Sequence, residues 1–101
     1  MGKSQRDKGA NAEREVVHIL EAFGIEARRG QVFNGEPDIV SDFPLHLEIK
    51  RQETTKIHEW MRQSVSQCRP GKIPAVVHRR SREDWLITMN FKELLQWLNN
   101  Q

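Results

Sequence analysis

Two short stretches carry the residue types best suited to chemistry. In Glu36-Pro37-Asp38-Ile39-Val40 an acidic residue follows a proline. Ten positions beyond Asp38, the run Leu47-Glu48-Ile49-Lys50-Arg51 sets a carboxylate and an amine two apart. Successive side chains of an extended strand alternate faces, so Glu48 and Lys50 project together while Leu47 and Ile49 project the other way. Two carboxylates and an amine converging at neighbouring strand ends make a candidate divalent-metal site with a charged helper, the outline of a metal-dependent nuclease. Taken singly, each part has an ordinary explanation. A Glu/Lys pair on a strand is often a solvated face, and an Asp after a proline is often a turn residue.

The elements that must position these groups follow from apolar spacing. The polar, basic residues 1–8 read as a short flexible arm. Ala12, Val16, Ile19, Leu20 and Phe23 form one apolar stripe of a helix from about Gly9 to Phe23, with Gly24 as its left-handed cap. Asn11 or Gly9 would start that helix, and Glu13 and Glu15 suit the positive end of its dipole. Glu13 also adjoins the stripe, where it can lean over the sheet edge toward Asp38 and Glu48. Residues 25–32 read as a strand with Arg28 and Arg29 on opposite faces. Asn34-Gly35 is a turn signal because both residues tolerate positive φ. A second strand begins at Asp38, and after Ser41-Asp42-Phe43-Pro44 a third runs from Leu45 to Arg51, completing an antiparallel meander. In this reading Glu36 and Asp42 are turn residues.

Thr54 or Thr55 would cap the next helix, which runs to about Gln67. Ile57, Trp60, Met61, Ser64, Val65 and Cys68 share one face of it, with Gln63 and Gln67 at the border. Trp60 reads as core or a packing ridge in preference to a base-stacking platform. Pro70-Gly71 ends this helix. Pro74–Arg79 and Trp85–Met89 are further strands, and Asn90 with Glu93 resembles a capping box opening a last helix with Phe91, Leu94, Leu95, Trp97 and Leu98. The order is α-β-β-β-α-β-β-α. A long helical connection between the third and fourth strands is what a crossover between parallel strands requires, so the sheet is expected to be mixed, with helices packed on it.

Composition bounds the possibilities. A chain of 101 residues is expected to be one domain, 1–101, and 37% apolar content is low enough that a second copy would help to bury surface. A net charge of +2 and a pI near 9.0 say little alone. The distribution says more: Lys3, Arg6 and Lys8, then Arg28 and Arg29, then Arg69, Lys72, Arg79, Arg80 and Arg82 flank the acidic constellation, which favours a phosphate-bearing ligand. Cys68 is the only cysteine, so no internal disulfide forms and a cytoplasmic setting is expected. No apolar run reaches membrane-span length. The four histidines lack metal-ligand spacing, though His46 shares a face with Glu48 and Lys50 and borders the candidate site.

Together Glu13, Pro37-Asp38, Glu48-Ile49-Lys50 and a glutamine in the following helix resemble the PD-(D/E)XK nuclease superfamily. Within it the chain is similar to small Holliday-junction-resolvase-like and phage-type endonucleases. Lys8-Gly9 through Glu13-Arg14-Glu15 is similar to the resolvase start, and Glu48-Ile49-Lys50-Arg51, Trp60, Gln63 and Pro74 through Arg79-Arg80 to the phage proteins. The resemblance implies an α/β (α+β) fold, a restriction-endonuclease-like αβββαβ core with an extra strand and C-terminal helix. It also implies Mg²⁺, with Mn²⁺ as a substitute, held by Asp38, Glu48 and the Ile49 carbonyl, with Glu13 as an outer or second-metal ligand. Hard oxygen ligands suit that ion, which makes bound water a better nucleophile and stabilises a leaving oxygen. Lys50 would orient the water and stabilise developing charge, and Gln63 or, one turn along, Gln67 would bond water or phosphate.

Lys8, Arg28, Arg29, Arg51 and one of Arg79 and Arg80 are the expected DNA-backbone contacts. The expectation is therefore an endodeoxyribonuclease acting on duplex or branched DNA, a homodimer with two symmetry-related sites and no organic cofactor, in phage or prophage recombination or replication. Without a separate recognition domain it would read shape and backbone over sequence. Its rivals are a DNA- or RNA-binding module that does not cut, a restriction- or repair-type nuclease, and a protein-interaction factor. Carboxylates repel phosphate unless a metal lies between, which weighs against the binding module.

Overall fold

A computed structural model describes residues 3–101. The elements are α1 (Lys3–Ala22), β1 (Ala27–Arg29), a 3₁₀ turn (Val32–Asn34), β2 (Ile39–Ser41), β3 (Leu45–Arg51), α2 (Ile57–Gln67), β4 (Ile73–Arg79), β5 (Leu86–Met89) and α3 (Phe91–Asn99). This is the expected order with one 3₁₀ turn added. Among the described residues no helix is long and apolar enough to cross a membrane.

The first helix starts at Lys3 and not near Gly9, so residues 3–8 are helical where a loose arm was expected. The segment Lys3-Ser4-Gln5-Arg6-Asp7-Lys8 holds no proline or β-branched residue, and its lysines, glutamine and arginine are good helix formers. Met1 and Gly2, the rest of that expected arm, lie outside the described residues. Glu13 and Glu15 consequently stand in mid-helix, away from the dipole's positive end. Ala12, Val16 and Val17 are buried and Leu20 packs against them, whereas Ile19 is 40% and Phe23 81% exposed. The buried stripe is thus turned from Ile19 toward Val17, and Phe23 lies beyond the helix, which ends at Ala22. The expected cap is present. Gly24 has φ 82°, its N–H donates to Glu21 O at 3.0 Å, and the Ile25 N–H donates to Leu20 O at 2.9 Å.

The crossover is also as expected. β3 pairs with β4 in parallel from Leu45↔Ile73 to Arg51↔Arg79, and β5 lies antiparallel to β4 on its far side. The meander is not. β1 and β2 form their own two-stranded antiparallel sheet, and β2 makes no ladder with β3. Side chains occupy backbone groups along that seam. Lys72 Nζ donates to the carbonyls of Ser41 (3.1 Å) and Phe43 (2.6 Å), and the Ile49 N–H donates to Asp38 Oδ2 at 2.8 Å. The first strand is shorter than residues 25–32, and only Gly35 (φ 69°) uses the left-handed conformation in the Asn34-Gly35 turn.

Helices cover both faces of the three-stranded sheet. On the α1 side Leu45, Leu47 and Ala75 pack with Val16, Val17 and Ile39. On the α2 side Trp60 and Ser64 are buried, the Trp60 ring lying 5.4 Å from that of His78. Trp60 is therefore a core residue. Ile57 and Val65, expected on the same buried face, are 37% and 58% exposed. The Lys56 N-cap has no side-chain bond, so neither Thr54 nor Thr55 caps α2. Asn90 does cap α3, its side chain accepting from the Glu93 N–H at 3.1 Å.

Candidate active site

Strand alternation sends Leu45, Leu47 and Ile49 toward α1 and His46, Glu48 and Lys50 toward α2. Asp38 stands immediately before β2, and its carboxylate reaches across the seam to the Ile49 amide. The N–H and C=O of one strand residue point to the same side, so the Ile49 carbonyl also opens toward the Asp38 side. Asp38, His46, Glu48 and Gln67 line an open cleft of about 420 Å³ with Val32, Gly35, Glu36 and Pro37. Gly30 lies against the Pro37–Asp38 backbone that lines it. Its N–H donates to Asp38 O at 2.9 Å, and a Cβ there would overlap the Pro37 carbonyl oxygen. Only glycine lets the two backbones approach so closely.

Glu48 is the electrostatic centre. Burial, then the charge of Asp38 and a hydrogen bond with it, push its carboxyl up to about 8, against the pull of Lys50. Two carboxyls this close cannot both ionise cheaply, so one keeps its proton until a cation takes its place. Glu13 is raised in the same sense by burial, lowered by its hydrogen bond from Arg29 (Nε to Oε1, 2.9 Å) and raised again by Asp38. Lys50 Nζ donates to Gln63 Oε1 at 3.1 Å.

His46 is buried, and its tautomer follows from its partners. The Arg69 N–H donates to Nδ1 at 3.2 Å, so the neutral ring carries its proton on Nε2 and donates it to Glu48 Oε1 at 2.9 Å. Burial lowers its pKa and favours that neutral form. The ring thereby fixes the rotamer of Glu48.

The donor set fits a hard divalent ion: only oxygens, from Asp38, Glu48 and the Ile49 carbonyl, around a carboxyl whose proton a cation would replace. Among the described residues no three His, Cys, Asp or Glu side chains form a ready cage. Glu13 is engaged by Arg29, so the set comprises two carboxylates and a carbonyl.

The structure brings Asp38, Glu48, Lys50 and Gln63 together, with Glu13 close by. Gln63 meets Lys50 and Gln67 faces the cleft, so the two glutamines hold different places. Most of the expected DNA-contacting cations have carboxylate partners. Lys8 lies 4.0 Å and Arg51 3.2 Å from Glu53, and Arg29 pairs with Glu13. Arg28 grips Glu36 with two bonds of 3.0 and 2.8 Å and holds its carboxyl down at about 2. Arg79 turns from the cleft, 5.4 Å over Trp85 and 3.6 Å from Glu15, while Arg80 is exposed at the end of β4. Lys72 is spent on the Ser41 and Phe43 carbonyls. Glu36 lines the cleft and locks its rim, and Arg69 holds His46. The partners of Glu36 are close in sequence, at Arg28 and Gln31, whereas His46 lies 23 residues from Arg69, so no local pattern marks the second role.

Comparison with known proteins bears on this arrangement. The sequence model of the family described as "phage putative PDDEXK endonuclease" matches residues 4–101. Among solved structures, the fold is similar to that of Archaeoglobus fulgidus Hjc, a Holliday junction resolvase from an archaeal hyperthermophile. The TM-score is 0.64 and the identity 27%, over 81% of this chain and 72% of that one. A search of curated proteins finds no match.

Proposed function

This chain belongs to the phage PDDEXK endonuclease family, and from that premise we propose that it is a metal-dependent endodeoxyribonuclease cutting branched DNA. The observation that carries the metal dependence is the Asp38–Glu48 pair, in which one carboxyl is held up at about 8 by burial and by its neighbour. Asp38, Glu48 and the Ile49 carbonyl would hold Mg²⁺, or Mn²⁺ in its place, with Glu13 at the margin. When bound, the ion supplies an activated water and neutralises charge on the phosphate and the leaving oxygen.

The remaining work belongs to side chains. Lys50, steadied by the Gln63 carbonyl oxygen, presents its ammonium to the attacking water and to the charge that develops on the phosphoryl oxygens. That bond leaves the Gln63 amide N–H groups for a phosphate. His46 keeps Glu48 in one orientation, and Gln67 offers a further polar contact inside the cleft. Arg51 and Arg80, at the end of the parallel strand pair, would meet the DNA backbone, with Lys8, Arg28 and Arg29 as further contacts.

Branched DNA as substrate rests on the likeness to the archaeal resolvase. A homodimer is supported by apolar side chains of β5 and α3 left in water: Leu86, Ile87, Phe91, Leu95 and Leu98. The setting proposed is phage or prophage recombination or replication, in the bacterial cytoplasm.

The test is direct. Linear duplex, single-stranded and four-way-junction DNA are incubated with the protein in Mg²⁺ or EDTA, beside Asp38→Ala and Lys50→Ala. Cleavage is expected with Mg²⁺ only, strongest on the junction, and lost in both variants. Tight binding with no cut in any substrate, with Mg²⁺ or Mn²⁺, would instead assign a DNA-binding module.

A further inference from the structure

We propose that the Val32–Asn34 turn is a base-stacking wedge, with Phe33 as the side chain that lies against a nucleobase beside the cut phosphate. This rests on the nuclease reading above and adds a second contact to it.

Val32 and Phe33 are 86% and 85% exposed, two consecutive apolar side chains on a turn that buries none of its residues. They contribute nothing to the core, yet the turn beneath them is tightly built. The Asn34 N–H donates to Gln31 O at 3.0 Å and the Gly35 N–H to Val32 O at 2.9 Å. Asn34 Nδ2 donates to Gln31 Oε1 at 2.7 Å, and Glu36 Oε1 accepts from the Gln31 N–H at 2.8 Å. Arg28 clamps Glu36 from one side, and Arg69 Nη2 reaches the Gly35 carbonyl at 3.3 Å from the other. The apolar tip is therefore held in place before any ligand arrives, which lowers the ordering cost of binding.

Its position identifies the ligand. Val32 lines the same cleft as Asp38 and Glu48, so Phe33, the next residue, stands at the edge of the candidate active site. Two guanidinium groups, those of Arg28 and Arg69, are built into the turn. A narrow apolar tip beside two guanidinium groups, one of them paired with Glu36, suits a ligand with flat apolar faces strung on an anionic backbone. A second copy of this chain would call for a broader apolar surface, such as that of β5 and α3. Phe33 has no hydrogen-bonding group and would accept any base, so it reads unstacked or kinkable geometry in place of sequence.

The experiment uses the full chain carrying Lys50→Ala, to keep DNA uncut in Mg²⁺, and four-way junctions and duplexes with 2-aminopurine placed at successive positions. A 2-aminopurine at one position near the branch is expected to change fluorescence on binding. Adding Phe33→Ala should abolish that change and weaken binding about ten-fold or more, the scale of base–aromatic stacking. Adding Phe33→Trp should keep the affinity, with tryptophan emission altered by DNA but not by heparin, a polyanion without bases. Unchanged melting temperatures establish that the variants fold. Phe33→Ala binding and signalling like its parent overturns the wedge alone, provided that the native chain cleaves DNA. A change in self-association without DNA overturns it in favour of a second copy. Failure of the native chain to bind any DNA removes both readings.

Discussion

At the scale of single residues, the candidate site turns on one proton. Glu48 keeps it in the folded chain up to about 8, whereas the unfolded chain loses it near the ordinary 4.5. Between those values the unfolded state has released a proton that the folded state still holds, so rising pH favours unfolding across that window. Thermal stability in EDTA is therefore expected to fall as pH rises from about 4.5 to about 8, with Mg²⁺ restoring it at the upper end and Glu48→Gln flattening the slope. Melting curves with and without Mg²⁺ check this; a stability that rises with pH through the window contradicts the proton assignment. His46→Ala removes the group that fixes Glu48, and Mn²⁺ affinity is expected to drop about 10- to 100-fold by calorimetry. The shared face of Glu48 and Lys50 was legible in the sequence, because alternation along a strand settles it, whereas Asp38 precedes β2 and meets them across the seam between the sheets. The task of His46 was legible only as proximity, since the amide that sets its tautomer belongs to Arg69, on the far side of α2.

At the scale of elements, some local signals proved readable, while the threonines before α2 do not cap it. Gly24 announced the end of α1, Asn90 announced the start of α3, and the long α2 connection is what the parallel pairing of β3 and β4 requires. The split of the expected meander was hidden, because it depends on Lys72 and Asp38 binding backbone groups of distant segments. The start of α1 is hidden because residues 3–8 carry no apolar stripe, although their intrinsic preference is helical. The β1–β2 connection gives a prediction at this level. Gly30→Ala places a methyl group into the Pro37 carbonyl, so the loop must move and carry Asp38 with it. A loss of about 1–3 kcal/mol in urea unfolding is expected from the steric overlap, together with loss of cleavage, whereas Gly9→Ala, in α1 where a Cβ meets nothing, should lose neither. Equal behaviour of the two variants would remove Gly30 from the construction of the cleft.

At the scale of the whole molecule, the chain leaves one side unfinished. β5 is the edge of the three-stranded sheet, Leu86 and Ile87 are 60% and 51% exposed, and α3 has no buried residue, with Phe91 at 71%. Modest apolar content made a second copy attractive from the sequence, and the surface it would cover became visible only once α3 was placed. Leu95→Asp is expected to convert a dimer into a monomer in sedimentation, at unchanged helical content; a native chain that is already monomeric at micromolar concentration refutes the dimer. The seam between the two sheets has a different consequence. There the Ile49 amide donates to the Asp38 carboxylate, where a neighbouring strand's carbonyl would ordinarily accept. That proton is a built-in spectroscopic probe of the acidic pair. Its amide resonance should move during an Mg²⁺ titration, and Asp38→Ala should expose it to rapid deuterium exchange while its neighbours in β3 stay protected.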